Sequence, residues 1–203
     1  MSPQQCVPPA ERPGDDTSIL VVGPPMTNKF GFLSRTLDSG EPVVFLSTTK
    51  NAERVRDGFD ETDADDVAVV DCVTKAPRTD VESDARTRYV VSPDNLTDLG
   101  MKFVDLAESR EDEDVAVGVH SLSDLLVYSS PEQVYQFVRV LLGHVREFDW
   151  ALAATLDGAS ADEQRRHMLR DLFDVVVDTR STDGGREARV RYADGTRTEW
   201  AAF

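Results

Sequence analysis

The sequence predicts an α/β fold with a mainly parallel sheet and a C-terminal antiparallel β-hairpin. Short, continuous apolar runs recur along the chain, segments with a helical apolar period separate them, and the last segment alternates apolar with charged residues. Continuous apolar runs are typical of parallel strands covered on both faces, whereas alternation is typical of an antiparallel pair with one solvated face. The repeated change from strand to helix pattern therefore favours a sheet with helices packed against it.

The length of 203 residues suits one domain that buries a core without disulfides or metals. Residues 1–16 contain four prolines and almost no apolar periodicity, which predicts a flexible leader. We therefore expect residues 17–203 to form a single domain.

Seven short apolar runs are the predicted strands. None is longer than seven residues, which is an ordinary strand length. They comprise residues 18–22, 42–46, 67–72, 87–91, 114–119, 150–156 and 174–179. Residues 73–86 have no apolar period and are predicted to form an exposed loop.

Capping signals mark the starts of two predicted helices. Ser130, Pro131 and Gln133 supply an N-cap, a proline at the first helical position and a capping-box partner. Ser160 and Glu163 repeat the capping-box spacing. Behind the first signal, one apolar stripe is predicted to face the core: Val134, Phe137, Val138, Leu141, Val145 and Phe148. A third helix is predicted after residue 92, with four inward residues: Leu96, Leu99, Phe103 and Leu106.

The C-terminal segment has the pattern of an antiparallel hairpin. Ala188, Val190 and Tyr192 alternate with charged residues, and Asp194-Gly195 is a dipeptide that type I′ turns favour. We expect this segment to form a hairpin at the edge of the sheet, and not the recognition helix of a DNA-binding module.

The charge of the chain is strongly acidic. There are 25 Asp and 13 Glu against 18 Arg and only 4 Lys, and the net charge is -16. This balance is typical of the solvated surface of a halophilic protein. Direct nucleic-acid binding is disfavoured, because affinity for phosphate backbones comes from Lys and Arg, although molar salt would screen the repulsion.

Several other classes of site lack their sequence signals. Cys6 and Cys72 are predicted to be unpaired thiols, since two cysteines give neither a disulfide framework nor a CxxC metal spacing. His144 and His167 do not form a metal pair and are expected on helix surfaces. No apolar stretch approaches the roughly 18 residues of a membrane span, and the N-terminus lacks an apolar signal region. The sequence predicts a cytoplasmic protein without a metal site.

The segment GPPMTNKF, residues 23–30, lies between the first predicted strand and a helical pattern. A phosphate-binding P-loop in this context would read G-x-x-x-x-G-K-[ST]. Gly23 and Lys29 match, whereas Asn28 replaces the second glycine and Phe30 replaces the hydroxyl residue that would ligate Mg²⁺. Asn28 still permits a left-handed turn, but Phe30 cannot bind a metal ion.

Two further segments extend the likeness of this loop to a known family. With GEPVVFLSTTKNAERVRDGF and VAVGVHSLSDLLVYSSPEQVYQFVRVLLGHVR in this order, the chain resembles the RecA-like P-loop ATPases, specifically their archaeal KaiC-like branch. The resemblance runs from about Ser18 to Thr179 and implies a RecA-like three-layer sandwich. It also implies that the Walker B aspartate is replaced by His120, and the water-activating glutamates by Thr48 and Thr49.

These replacements bear directly on hydrolysis. His120 offers Mg²⁺ no negative charge and is expected to be a hydrogen-bonded filler of the strand end, while Asp124, four residues on, is not expected to substitute. The hydroxyls of Thr48 and Thr49 cannot accept a proton from water near neutral pH. We therefore predict no catalytic residues, no bound Mg²⁺ and no ATP hydrolysis.

Phosphate binding by Lys29 stays open at this point, the alternative being a surface lysine without a ligand. If the loop does bind ATP or ADP, binding without Mg²⁺ is expected to be weak. The residues that the resemblance then assigns to the nucleotide are Gly23, Pro24, Pro25, Thr27, Asn28 and Lys29.

The favoured function is that of a non-hydrolysing regulatory or scaffold protein that acts through a protein partner or as a homo-oligomer, without a membrane. Two alternatives stay open. One is an active ATPase whose altered site is completed by a neighbouring subunit, since RecA-like relatives assemble as rings. The other is a transcription-associated regulator that reaches DNA through a partner.

Overall fold

The computed structural model of the protein describes residues 17–75, 81–158, 163–192 and 194–203. The predicted leader, Cys6 and the predicted cap Ser160 lie outside the described residues. Within them, strands and helices alternate for most of the chain, and the last three strands follow one another without a helix.

The strands are β1 (Ser18–Gly23), β2 (Val43–Ser47), β3 (Val67–Asp71), β4 (Thr87–Tyr89), β5 (Ala116–His120), β6 (Ala151–Asp157), β7 (Val175–Thr182), β8 (Gly185–Tyr192) and β9 (Ala201–Ala202). The helices are α1 (Lys29–Leu37), α2 (Ala52–Arg56), α3 (Leu96–Ala107), α4 (Leu122–Tyr128), α5 (Pro131–Glu147) and α6 (Glu163–Arg170), with a short 3-10 turn at Glu108–Arg110. All seven predicted apolar runs are therefore strands.

The strands of the described residues form one sheet in the order β4-β3-β2-β5-β6-β1-β7-β8-β9. The first seven pair in parallel, and β7, β8 and β9 pair antiparallel. Apolar side chains from α3, α4, α5 and α6 form a core on one face, and those from α1 and α2 form a second core on the other. The predicted three-layer α/β sandwich with a mainly parallel sheet is confirmed.

The antiparallel end of the sheet is confirmed, but its main hairpin lies earlier than the sequence suggests. β7 and β8 pair along eight residues and turn between Thr182 and Gly185, whose φ is +127°. The predicted turn at Asp194-Gly195 follows this hairpin, and there Gly195 N–H donates to the Tyr192 carbonyl at 3.0 Å. Sequence analysis missed the first turn because β7 was predicted to end at residue 179.

Helix α5 begins as predicted. Ser130 Oγ accepts a hydrogen bond from the Gln133 N–H, and Gln133 Oε1 accepts one from the Ser130 N–H, which completes the capping box. The predicted stripe packs on the sheet and gains Leu142 as a further buried residue.

The prediction that His144 lies on a helix surface is wrong. Its ring is partly buried and packs against Phe148 and Phe103 at centroid distances of 5.1 and 5.6 Å, close to the buried Trp150. The cause is the turn at Asp149, where φ is +56°, because it returns the chain from α5 to the sheet and places Trp150 beside the last helical turn. His167 is exposed on α6, as predicted.

No helix in the described ranges is long and apolar enough to cross a membrane.

Cys72 is a buried free thiol, and burial raises its pKa to about 12. Residues 73–75 and 81–86 belong to no helix or strand, in agreement with the predicted loop, whose remaining residues lie outside the description.

Candidate functional site

The P-loop segment follows β1 at the carboxyl edge of the sheet, where the ends of parallel neighbours meet. β1 lies between β6 and β7, so Gly23 is opposite Asp157 in the register with β6. The carboxyl ends of such strands are the usual location of ligand sites in open α/β sheets.

The loop makes the left-handed turn that the sequence permits at Asn28. Asn28 has φ +56° and ψ +41°, which is the left-handed conformation that asparagine tolerates. Met26 also has a positive φ of +67°. The side chain of Asn28 packs on Gly31, where a Cβ would lie only 2.4 Å from Asn28 Nδ2. Asparagine thus keeps the turn, but its side chain occupies space beside the first turn of α1.

Lys29 is buried, with 7% of its side chain exposed, so it is not the surface lysine of the alternative interpretation. Its ammonium donates to the carbonyls of Pro24 and Gly23 at 2.8 and 3.2 Å. It also forms an ion pair with Asp157, at 2.5 Å between Nζ and Oδ1. Three oxygen atoms of the protein itself therefore bind the group that would contact a phosphate.

Asp157 is the site residue that sequence analysis missed. It is the last residue of β6, and its side chain is 30% exposed. Its own N–H donates to Ser123 Oγ at 2.6 Å, which fixes the end of β6 against α4. A carboxylate at a strand end was the available signal, but its pairing with Lys29 depends on β6 lying next to β1.

The loop is also tied to β7. Thr27 is buried, and its hydroxyl lies 2.8 Å from that of Thr179 and 3.0 Å from the Pro24 carbonyl. Gly23 is required here, because a Cβ at this residue would lie 2.0 Å from Thr179 Oγ1. Of the remaining predicted site residues, Pro24, Pro25 and Asn28 are exposed.

An aromatic contact occupies the positions that the resemblance assigns to Mg²⁺ ligands. The rings of Phe30 and His120 lie 5.4 Å apart, and Lys50 Nζ lies 4.6 Å from the centre of the Phe30 ring. Such cation–π packing places positive charge where a metal site needs oxygen ligands and negative charge. Within the described residues, no group of three or more His, Cys, Asp or Glu side chains could hold a metal ion.

The predicted hydrogen bond of His120 at the strand end is present. Its Nδ1 lies 2.6 Å from Thr155 Oγ1, on the neighbouring strand β6. Burial, followed by the charges of Lys50 and Lys29, lowers the pKa of His120 to about 4, although the Asp157 carboxylate opposes the shift. The imidazole is therefore neutral near pH 7.

Thr48 links β2 to the start of α4. Its hydroxyl donates to Asp124 Oδ2 at 2.9 Å and accepts from the Ser121 N–H at 2.9 Å. Burial raises the pKa of Asp124, as does the charge of Asp157, while the hydrogen bond from Thr48 opposes them. Thr49 is exposed. Neither threonine carries a group that takes a proton from water.

These observations define the fold as a RecA-like three-layer α/β sandwich. The KaiC-like protein PH0186 from the hyperthermophilic archaeon Pyrococcus horikoshii OT3 is similar with a TM-score of 0.57, over 88% of this chain and 79% of that chain. The sequences are 13% identical, so this likeness shows the fold alone.

The chain belongs to DUF7504, a family of unknown function, whose model matches residues 17–179. The match begins at the first described residue and ends in β7, so it contains the whole P-loop segment. No curated protein matches the chain in sequence.

Proposed function

We propose that this protein is a KaiC-like domain that does not hydrolyse ATP and acts as a regulatory or scaffold protein through protein interactions. The observation that carries the proposal is the engagement of Lys29 by Asp157 and by two carbonyls of its own loop. A lysine held in this way stabilises the loop, and it must leave these partners before it can contact a phosphate.

The surroundings of Lys29 support the loss of hydrolysis. Phosphoryl transfer needs a metal ion that neutralises the phosphates and a group that positions the attacking water. The rings of Phe30 and His120 supply neither oxygen ligands nor negative charge, and Thr48 is already hydrogen-bonded to Asp124. Without hydrolysis, ligand binding is the activity that we propose for this edge of the sheet.

Weak binding of ATP or ADP is the residual activity that the loop allows. A phosphate beside Lys29 would also lie near the Asp157 carboxylate, and like charges repel most strongly where water is excluded. In this proposal a nucleotide contacts Gly23, Pro24, Pro25, Thr27, Asn28 and Lys29 without Mg²⁺.

Calorimetric titration with ATP and ADP in molar KCl, with and without Mg²⁺, tests this function together with an assay for released phosphate. We expect no turnover, and nucleotide binding no tighter than millimolar. Asp157→Asn should tighten any binding about tenfold, because it removes a repulsive charge while keeping an acceptor for Lys29. Lys29→Ala should abolish binding, and Lys102→Ala, on α3, serves as the control.

Magnesium-dependent ATP turnover that is lost in Lys29→Ala would overturn the proposal. It would favour the alternative of an ATPase completed by a neighbouring subunit. Light scattering in the same buffers separates the two, because that alternative requires assembly that depends on nucleotide.

A groove between α3 and α5 supports the proposed interactions. Its volume is about 870 Å³, and two apolar side chains at its margin are strongly exposed, Met101 at 59% and Val140 at 71%. Glu108 and Glu132 line it, and no lysine or arginine does so among the described residues. An apolar floor with an acidic margin fits an amphipathic helix that has basic residues beside its apolar face. The floor includes Leu96, Phe103, Phe137 and Leu141.

Val140→Asp should reduce binding of such a partner helix at least tenfold, since a carboxylate replaces an apolar contact at the groove. Val127→Asp is the matched control, because Val127 is also 71% exposed but lies on α4 and does not line the groove. The measurement is cross-linking in native extract, with sequencing of the peptides joined to α3 or α5. Cross-links to an acidic segment, or equal loss in both variants, would exclude this use of the groove.

A further inference from the structure

A second cavity lies beside the P-loop, on the side of the antiparallel strands. Its volume is about 460 Å³, within the range of small-molecule sites. Gly23 and Pro24 line one side, and side chains from α6, β7, β8 and the C-terminal segment line the other. Lys29 and Asp157 are not among its lining residues, but Gly23 and Pro24, whose carbonyls bind the Lys29 ammonium, are.

Three arginines share one carboxylate in this cavity. The guanidinium of Arg191 lies 2.7 Å from Asp178, that of Arg189 lies 3.2 Å away, and that of Arg170 lies 3.9 Å away. The side chain of Asp178 is 15% exposed. Arg189 and Arg191 share this single carboxylate, so these three residues together carry a net charge of +1.

The placement of these arginines follows from the strand pairing. Arg189 and Arg191 are two residues apart on β8, so they project from the same face of the sheet. Asp178 is directly opposite Arg189 in the register of β7 and β8. The same alternation that the sequence shows at the C-terminal segment therefore concentrates positive charge at one point of a protein whose net charge is -16.

The cluster has hydrogen-bonding capacity left over. Within the described part of the chain, Arg191 Nε is buried and makes no hydrogen bond. Native proteins rarely leave a buried donor unsatisfied, and the two guanidinium groups of Arg189 and Arg191 have one carboxylate between them. Trp200 completes the wall, and the guanidinium of Arg189 lies 4.6 Å from the centre of its ring.

We propose that this cavity binds the phosphate group of a small phosphorylated molecule, with Arg170 and Arg191 as the residues that contact the phosphate. The planar guanidinium fork matches phosphate oxygens and forms strong, charge-assisted hydrogen bonds. The volume leaves room for an organic group beyond the phosphate, next to Trp200 and the Gly23 backbone. This binding goes beyond the proposed function, because arginines and not Lys29 contact the phosphate, although Gly23 and Pro24 line this cavity as well.

The test is calorimetric titration of the whole protein with inorganic phosphate, ribose 5-phosphate and AMP at 0.2 M KCl, a salt concentration chosen to limit competition from chloride. We expect saturable binding that weakens at least tenfold in Arg191→Gln and in Arg170→Gln. Arg88→Gln, in the ion pair with Asp105 at the opposite edge of the sheet, should bind like the wild type. Trp200 fluorescence gives an independent readout, and its response should be absent in Trp200→Phe.

Asp178→Asn keeps the test decisive if an arginine variant does not fold. It removes the competing carboxylate, so it should strengthen binding, and binding is also detected as a rise in melting temperature with added ligand. No heat with any of the three probes, or equal binding in Arg191→Gln and wild type, overturns the proposal. Loss of binding in Lys29→Ala alone would assign the phosphate to the P-loop. Preference for AMP over ribose 5-phosphate would identify a nucleotide as the source of the phosphate.

Discussion

Asp157→Ala is expected to lower the free energy of unfolding by about 3 kcal/mol, because it leaves the buried ammonium of Lys29 without its charged partner. Lys29 is 7% exposed and lies 2.5 Å from Asp157 Oδ1. Two loop carbonyls remain as acceptors, and Asp157 itself is 30% exposed, so the loss belongs at the low end of the usual range for broken buried pairs.

A double-mutant cycle with Lys29→Met measures the coupling between the two residues. Urea unfolding in molar KCl should give a coupling free energy above about 1.5 kcal/mol, because the second substitution costs little once the first has broken the pair. Asp105→Ala is the control, since that carboxylate pairs with Arg88 at the surface. Its loss should lower the free energy of unfolding by less than about 1 kcal/mol. Additive effects of Lys29→Met and Asp157→Ala would show that the ion pair does not hold the loop.

This result bears on function as well as on stability. A P-loop whose lysine stabilises its own fold no longer needs a nucleotide to neutralise the lysine. If the coupling is large, Lys29 stabilises the fold through an internal contact, which supports the proposed non-hydrolysing role. The proposed phosphate cavity beside Trp200 does not depend on this outcome, since its arginines lie on α6 and β8.

The sequence predicted the features that arise from local pattern. The seven apolar runs were predictable as strands because each run is recognisable from its own residues. The capping box at Ser130 was predictable because it is contained within four residues. The sequence also permitted the left-handed turn at Asn28, because that conformation depends on the preference of one residue.

The contacts that decide the chemistry were not predictable in this way. Asp157 meets Lys29, and Thr179 meets Thr27, only because β6 and β7 flank β1 in the sheet. Strand order is a non-local property, and parallel strands carry no turn signal that would fix it. Arg170 likewise reaches the cavity from α6, although Arg189 and Arg191 share a visible alternation.

Acidification from pH 7 towards pH 4 is expected to lower the free energy of unfolding by about 3 kcal/mol through His120 alone. Its pKa is about 4 in the folded protein, against an ordinary value of 6.5, because burial and the charges of Lys50 and Lys29 disfavour the protonated ring. Between these two pH values, His120 therefore binds a proton in the unfolded chain but not in the folded protein. The stabilisation is complete above pH 6.5 and is lost as the pH falls towards 4.

Comparison of the wild type with His120→Asn isolates this effect, because other acid-sensitive groups are common to both proteins. Several carboxylates with lowered pKa values, such as Asp38 and Asp174, also destabilise the fold as they protonate, but they do so at lower pH. Urea midpoints measured from pH 7 to pH 4.5 should fall more steeply for the wild type than for His120→Asn. His167→Asn, at an exposed position, should follow the wild type. Parallel curves for wild type and His120→Asn would mean that the ring accepts a proton in the folded state, and that the pocket beside Phe30 admits water.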